Sequence, residues 1–104
     1  MQVIFSTDHT IEGSDRLATY ATEVVNHILG RFDQHVTRIE VHLSDIDGPR
    51  DVGEDKRCVM EARIEGRPPI AITHLADDIG PALDGAARKL RRMLDTVFAK
   101  MRDH

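Results

Sequence analysis

Two segments of strict alternation constrain the fold of this chain most. Residues 37–44 and 56–64 alternate between apolar and polar side chains, and an acidic stretch with glycine and proline, residues 45–55, separates them. A period of two is typical of a strand with one buried face, and the intervening composition predicts a loop. The inward positions are predicted to be Ile39, Val41 and Leu43 in the first strand and Cys58, Met60, Ala62 and Ile64 in the second.

Two further segments have helical periodicity. The first helix is predicted to begin after an N-cap at Ser14, to run to about Arg31 and to be weakened or terminated near its end by Gly30. The second is predicted to begin at Asp77 or Asp78, with Pro81 tolerated in the first turn. The predicted core stripes are Leu17, Ala21, Val24, Ile28 and Phe32 in the first helix, and Leu83, Ala87, Leu90, Leu94, Val97 and Met101 in the second.

Short apolar runs at residues 1–6 and 70–75 complete the pattern as strands. The order is then β-α-β-β-β-α, an α+β fold in which two helices pack on one face of a four-stranded sheet. The first two strands should be parallel, joined by a right-handed crossover, and the last three should form an antiparallel meander. We expect residues 1–104 to form a single domain.

Composition excludes several classes of protein. Apolar residues make up 40% and charged residues 31%, as in ordinary globular domains. The single cysteine, Cys58, cannot form an internal disulfide, which favours a reducing compartment. Neither a signal peptide nor a membrane-spanning stretch is apparent, so a cytoplasmic location is expected, without membrane partners.

Charge is distributed unevenly along the chain. Residues 1–55 contain four basic and eleven acidic side chains, a net of −7, and residues 56–104 contain ten and seven, a net of +3. Four cations fall within five residues on the last helix, and their mutual repulsion is relieved when a polyanion such as RNA binds. The alternative is a solvated helix face, with Asp84 and Asp95 pairing with two of these cations, Arg88 and Arg91. The cluster consists of Arg88, Lys89, Arg91 and Arg92.

No residue set predicts catalysis. The six histidines show no metal-binding spacing, although His42 and His74 lie on strands where they could meet. Cys58 falls on the inward face of its strand, as a structural thiol does. Glycine-rich phosphate loops are absent from the sequence. We therefore expect a non-enzymatic protein that uses no cofactor, metal or small-molecule substrate.

The chain resembles the ribosome hibernation-promoting factor family, whose members are also called ribosome-associated inhibitors or sigma-modulation proteins. The most specific match is ALDGAARKLRRML, residues 82–94, which is similar to the start of that family's last helix. The DKRC stretch, residues 55–58, is similar to one branch of bacterial members, and the element order agrees throughout. The resemblance implies a fold close to double-stranded-RNA-binding domains.

The resemblance also implies a function. Members bind the small ribosomal subunit in the channel for mRNA and tRNA, silence translation and preserve idle ribosomes in stationary phase or stress. Lys89 and Arg92 match the family's basic positions, whereas the first helix departs from it by carrying few cations. We expect a monomer that binds rRNA; the alternative is a protein-binding regulatory module that uses the acidic first half, above all residues 45–55. The predicted rRNA contacts are Arg88, Lys89, Arg91 and Arg92, with Lys56, Arg57 and Arg67 as additions.

Overall fold

The computed structural model describes residues 1–46 and 53–102. The predicted order of elements is confirmed, with one short 3-10 turn that the sequence pattern did not indicate. Most of the predicted loop, residues 47–52, lies outside the described residues. The elements are β1 (Gln2–Thr7), α1 (Asp15–Leu29), the 3-10 turn (Gly30–Phe32), β2 (Val36–Asp45), β3 (Lys56–Ile64), β4 (Ile70–Ala76) and α2 (Ile79–Arg102).

The sheet is mixed and its strands lie in sequence order, β1-β2-β3-β4. β1 runs parallel to β2, and the other two pairs are antiparallel, as predicted. The inward positions of β2 and β3 face one another across the ladder, for example Leu43 opposite Cys58 and Val41 opposite Met60. These predicted inward side chains are all buried, so both helices cover a single face of the sheet.

The two helices bury their stripes to different extents. In α2 the first part of the predicted stripe is fully buried, whereas Val97 is half-buried and Met101 is 38% exposed, because the end of the helix extends beyond the core. In α1 the predicted stripe was partly wrong: Leu17 and Val24 are half-buried, and Val25 and Leu29 occupy the core instead. Adjacent apolar pairs at 24–25 and 28–29 allow either rotation of a 3.6-residue helix, and packing chooses between them.

Both helix starts agree with the sequence, and α1 ends at Leu29 with Gly30 as its C-cap, as predicted. Ser14 Oγ accepts a hydrogen bond from Leu17 N at 3.0 Å, which satisfies a free donor of the first turn. Asp78 precedes α2 and its carboxylate accepts from Ile79 N at 2.9 Å. Gly30 has a right-handed backbone (φ −59°), so it continues α1 into the 3-10 turn instead of reversing the chain.

Candidate nucleic-acid interface

The basic cluster of α2 is only partly neutralised within the protein. Arg88 Nε lies 2.8 Å from Asp84 Oδ2, one helical turn away, as predicted. The second predicted pair was wrong, because Asp95 pairs with Arg31 of the 3-10 turn and not with Arg91. Spacing along one helix cannot reveal that Arg31, 64 residues earlier, lies closer in space.

Lys89 is oriented by the sheet. Its ammonium donates to the carbonyl oxygen of Thr73 in β4 at 2.9 Å. β4 is an edge strand, and a lysine placed there protects the edge from pairing with another chain. The exposed Lys89 side chain therefore has a structural contact in the free protein and keeps its charge at the surface.

Arg91 and Arg92 are the two cations of the cluster whose side chains make neither an ion pair nor a hydrogen bond within the described residues. Arg91 is half-buried and Arg92 is exposed, and neither makes an ion pair with any residue in 1–46 or 53–102. Two neighbouring guanidinium groups in this state cost electrostatic free energy that binding of phosphates would release. They form the part of the cluster that is available for a new anionic partner.

The additional predicted contacts lie apart from the α2 cluster. Lys56 is only 16% exposed, and its ammonium lies 2.8 Å from Asp55 Oδ1 and 3.3 Å from Asp45 Oδ2. The hydrogen bond to Asp55, assisted by Asp45, raises the pKa of the Lys56 ammonium despite its partial desolvation. Lys56 thus remains charged, and in the free protein its charge is offset by carboxylates.

Arg57 and Arg67 occupy other surfaces. Arg57 is on the sheet face that the helices leave uncovered, where its Nε donates to Ser44 Oγ at 3.2 Å. Arg67 is exposed in the turn between β3 and β4. Because Arg57 and Arg91 lie on opposite sides of the sheet, the structure does not bring the seven predicted residues into one patch.

The outer face of α1 contrasts with α2. Asp15, Arg16 and Glu23 are exposed there beside Thr19 and Tyr20. This surface has more negative than positive side chains, as the sequence indicated. Any interaction of the helical layer with phosphates therefore depends on α2.

The two strand histidines, His42 and His74, lie on opposite faces of the sheet, and the cysteine is buried. His42 lies on the uncovered sheet face, where Nδ1 is 2.9 Å from Ser6 Oγ, and His74 lies on the opposite, helix-covered face, so the two do not meet. Burial raises the pKa of the Cys58 thiol to about 12, which keeps it protonated near neutral pH. Within residues 1–46 and 53–102 no group of side chains is arranged to hold a metal ion. The helices described are also too short or too polar to cross a bilayer.

An aromatic groove that the sequence pattern did not indicate lies at the C-terminal end of α2. Phe98 stacks on Phe32 with ring centroids 5.6 Å apart, and His35 is tilted against Phe98 at 5.3 Å. The Arg31 guanidinium lies 4.9 Å from the Phe32 centroid. Together with Met101 and neighbouring polar groups, these rings line a groove of about 460 Å³. Its only sequence signal is the spacing of Arg91, Asp95, Phe98 and Arg102 by four, three and four residues, which marks a second helix face.

The fold is shared with two solved structures. The N-terminal domain of Protein Y from Thermus thermophilus superposes with a TM-score of 0.74 at 15% identity, covering 93% of this chain and 99% of that one. A ribosomal subunit interface protein from Coxiella burnetii gives 0.77 at 16% identity, covering 95% and 99%. At these identities the likeness shows the fold alone.

Family membership follows from the sequence itself. No curated protein matches the chain significantly. The family model described as sigma 54 modulation protein / S30EA ribosomal protein matches residues 4–102, almost the whole chain. This agrees with the resemblance noted at residues 82–94, and the chain therefore belongs to the sigma 54 modulation protein / S30EA ribosomal protein family.

Proposed function

We propose that this protein binds the small ribosomal subunit through the basic cluster of α2 and silences translation by occupying the channel for mRNA and tRNA. The observation that carries the proposal is the family match over residues 4–102 on a chain whose last helix presents unpaired arginines. Ribosome binding is what the family and the neighbours' names imply. The small subunit, the channel and the preservation of idle ribosomes in the cytoplasm are the finer parts of the proposal.

The charge distribution supports RNA as the surface contacted. Arg91 and Arg92 have no internal anion among the described residues, Lys89 keeps an exposed charge, and Arg88 shares its charge with one carboxylate. Neutralising phosphates with such side chains releases counterions and favours binding independently of base sequence. Lys56, Arg57 and Arg67 remain candidate contacts, with the first two held by internal partners in the free protein.

Steric occlusion is the mechanism that suits this chain. Its one thiol, that of Cys58, is buried and protonated. A rigid α+β body held on rRNA by electrostatic contacts would exclude mRNA and tRNA from the same volume.

The competing hypothesis is a protein-binding module that uses the acidic loop. Most of that loop, residues 47–52, lies outside the described residues, and the flanking Asp45 and Asp55 pair with Lys56.

The direct test is binding of purified protein to isolated small subunits, followed by pelleting through sucrose at several salt concentrations. The double variant Arg91→Gln/Arg92→Gln removes the two cations whose side chains have no partner within the described residues, and it spares the contacts of Arg88 and Lys89. We expect affinity to fall roughly tenfold or more at low salt. The slope of log affinity against log salt should become shallower by about 1.5.

The matched control is Arg38→Gln/Arg63→Gln, which removes the same charge from the uncovered sheet face. Both arginines pair there with the half-buried Glu40, and Arg63 also pairs with Glu61; partly exposed pairs of this kind contribute little to stability. The control should bind subunits like the unmodified protein and should inhibit initiation in a reconstituted translation reaction equally well. Absence of the unmodified protein from the subunit pellet at low salt would refute the proposed function.

A further inference from the structure

The aromatic groove at the end of α2 continues the basic cluster along one side of the helix. One face of α2 carries four residues spaced by four, three and four positions: Arg91, Asp95, Phe98 and Arg102. The rise of an α-helix places Phe98 about 10 Å beyond Arg91 along the axis. The groove therefore extends the basic cluster, which we propose contacts rRNA phosphates, toward the end of α2.

The groove combines ring surface with cations. Phe98 is half-buried and His35 exposed, while the stacked partner Phe32 lies beneath at 6% exposure. Arg31, paired with Asp95, lies at one wall with its side chain 57% exposed. Arg102 stands at another wall and makes no ion pair within the described chain.

These features match the chemistry of an unstacked nucleobase. Single-stranded RNA is recognised by stacking its bases on aromatic rings and on arginine planes, with nearby cations on the phosphates. The volume of about 460 Å³ lies within the roughly 300–1,000 Å³ of pockets that take small organic ligands. Two arginines against one aspartate at the walls favour an anionic ligand over an apolar protein side chain.

We propose that the groove formed by Phe32, His35 and Phe98 receives one unstacked base of ribosomal RNA, whose flanking phosphates contact Arg91 and Arg102. This inference rests on the proposed function, because it gives the basic cluster a base-binding extension. The basic cluster contacts phosphates only, and the groove adds a contact that requires a nucleobase.

The test uses two fluorescently labelled octanucleotides of equal charge. One is built entirely of abasic tetrahydrofuran residues, and the other carries a single adenine at its centre. The full-length protein should bind the adenine-containing octamer at least roughly fivefold more tightly. Phe98→Leu keeps most of the apolar volume and should abolish this preference.

A pair of methionines on α2 provides a matched comparison that avoids the core. Met101, 38% exposed, borders the groove, and Met93, 41% exposed, lies on the helix outside it. Met101→Glu should remove the preference for the adenine. Met93→Glu adds the same charge, and should weaken both octamers in parallel while leaving their ratio unchanged.

Small-subunit pelleting of the same variants separates this inference from the proposed function. Equal affinity of the unmodified protein for both octamers, or a preference that survives in Phe98→Leu, overturns the base site even if subunits are bound. Undetectable binding of both octamers alongside normal subunit binding overturns it as well. If Phe98→Leu weakens subunit binding without any base preference in the octamers, the groove receives a protein side chain and the inference is wrong.

Discussion

The two helices lie on the same face of one sheet, yet they differ in anchoring and in charge. α2 is 24 residues long and fully buries three leucines, Leu83, Leu90 and Leu94. α1 has 15 residues; it fully buries Val25 and Leu29 and leaves Leu17 and Val24 half-buried. The longer helix, which buries more side chains, is the one that carries the repelling cations.

This association has an energetic reason. Like charges one turn apart destabilise a helix by a few tenths of a kcal/mol per pair. Burial of a leucine contributes roughly 2 kcal/mol, so the stripe of α2 outweighs the repulsion of its cluster several times over. α1, with a less complete stripe, carries mixed charges at its surface. The cluster of like charges thus lies on the helix whose buried leucines can offset its repulsion.

The largest expected effect tests this difference in anchoring. Leu90→Ala should lower the free energy of unfolding by about 2–5 kcal/mol, because it leaves a cavity under α2 at a side chain with no exposed surface. Leu17→Ala in α1 should lower it by about 1 kcal/mol, since that side chain is half-buried already. Urea unfolding followed by circular dichroism measures both. Similar losses at the two positions would contradict the comparison.

A smaller effect concerns the closeness of α2 to β4. A Cβ built at Gly85 would lie 2.2 Å from His74 Nε2, so the imidazole must move when Gly85 becomes alanine. Overpacking of this kind costs about 1–3 kcal/mol, against about 1 kcal/mol gained from alanine's helix propensity. We expect Gly85→Ala to be neutral to destabilising by about 2 kcal/mol.

The sign of that effect should reverse when the imidazole is removed. In a His74→Ala background, Gly85→Ala should stabilise the protein by about 1 kcal/mol, because only the propensity gain remains. Gly30→Ala is the control at the end of α1, where a Cβ meets no atom within 4 Å and the backbone is already helical. It should stabilise without any second change. If Gly85→Ala stabilises the otherwise unmodified protein as much as Gly30→Ala does, then His74 does not constrain the helix.

Strand alternation predicted the fold more accurately than helix periodicity did. The inward faces of β2 and β3 were correct at every position because a period of two leaves no intermediate orientation. The predicted stripe of α1 includes Val24, whereas the buried residue is Val25. Both valines fit the helical pattern, so the sequence could not choose between them. The sequence did contain the information that separates His42 from His74. Ile72 marks the inward face of β4, and His74, two residues later, shares that face.

The candidate site was less predictable because it depends on contacts between distant segments. The cluster of four cations and the Arg88–Asp84 pair follow from local spacing. The partner of Asp95 and the hydrogen bond from Lys89 to the edge of β4 depend on tertiary packing. The aromatic groove likewise joins Phe98 to the 3-10 turn more than 60 residues earlier, a contact that no local pattern encodes.

The smallest expected effect adds positive charge to α1. Glu23 is exposed on the outer surface of that helix and makes no ion pair within the described residues, so Glu23→Lys should change stability by less than about 0.5 kcal/mol. If the helical layer faces rRNA, the substitution replaces a repulsive charge by an attractive one. Affinity for small subunits should then rise several-fold, and the salt dependence should steepen by up to about 1 in the log–log slope. Glu61→Lys makes the same change of charge on the uncovered sheet face, where it also removes the ion pair with Arg63, and it should not raise affinity for small subunits. An equal gain from both substitutions would mean that net charge alone governs binding, whereas a gain confined to Glu61→Lys would place the rRNA contact on the sheet and not on the helices.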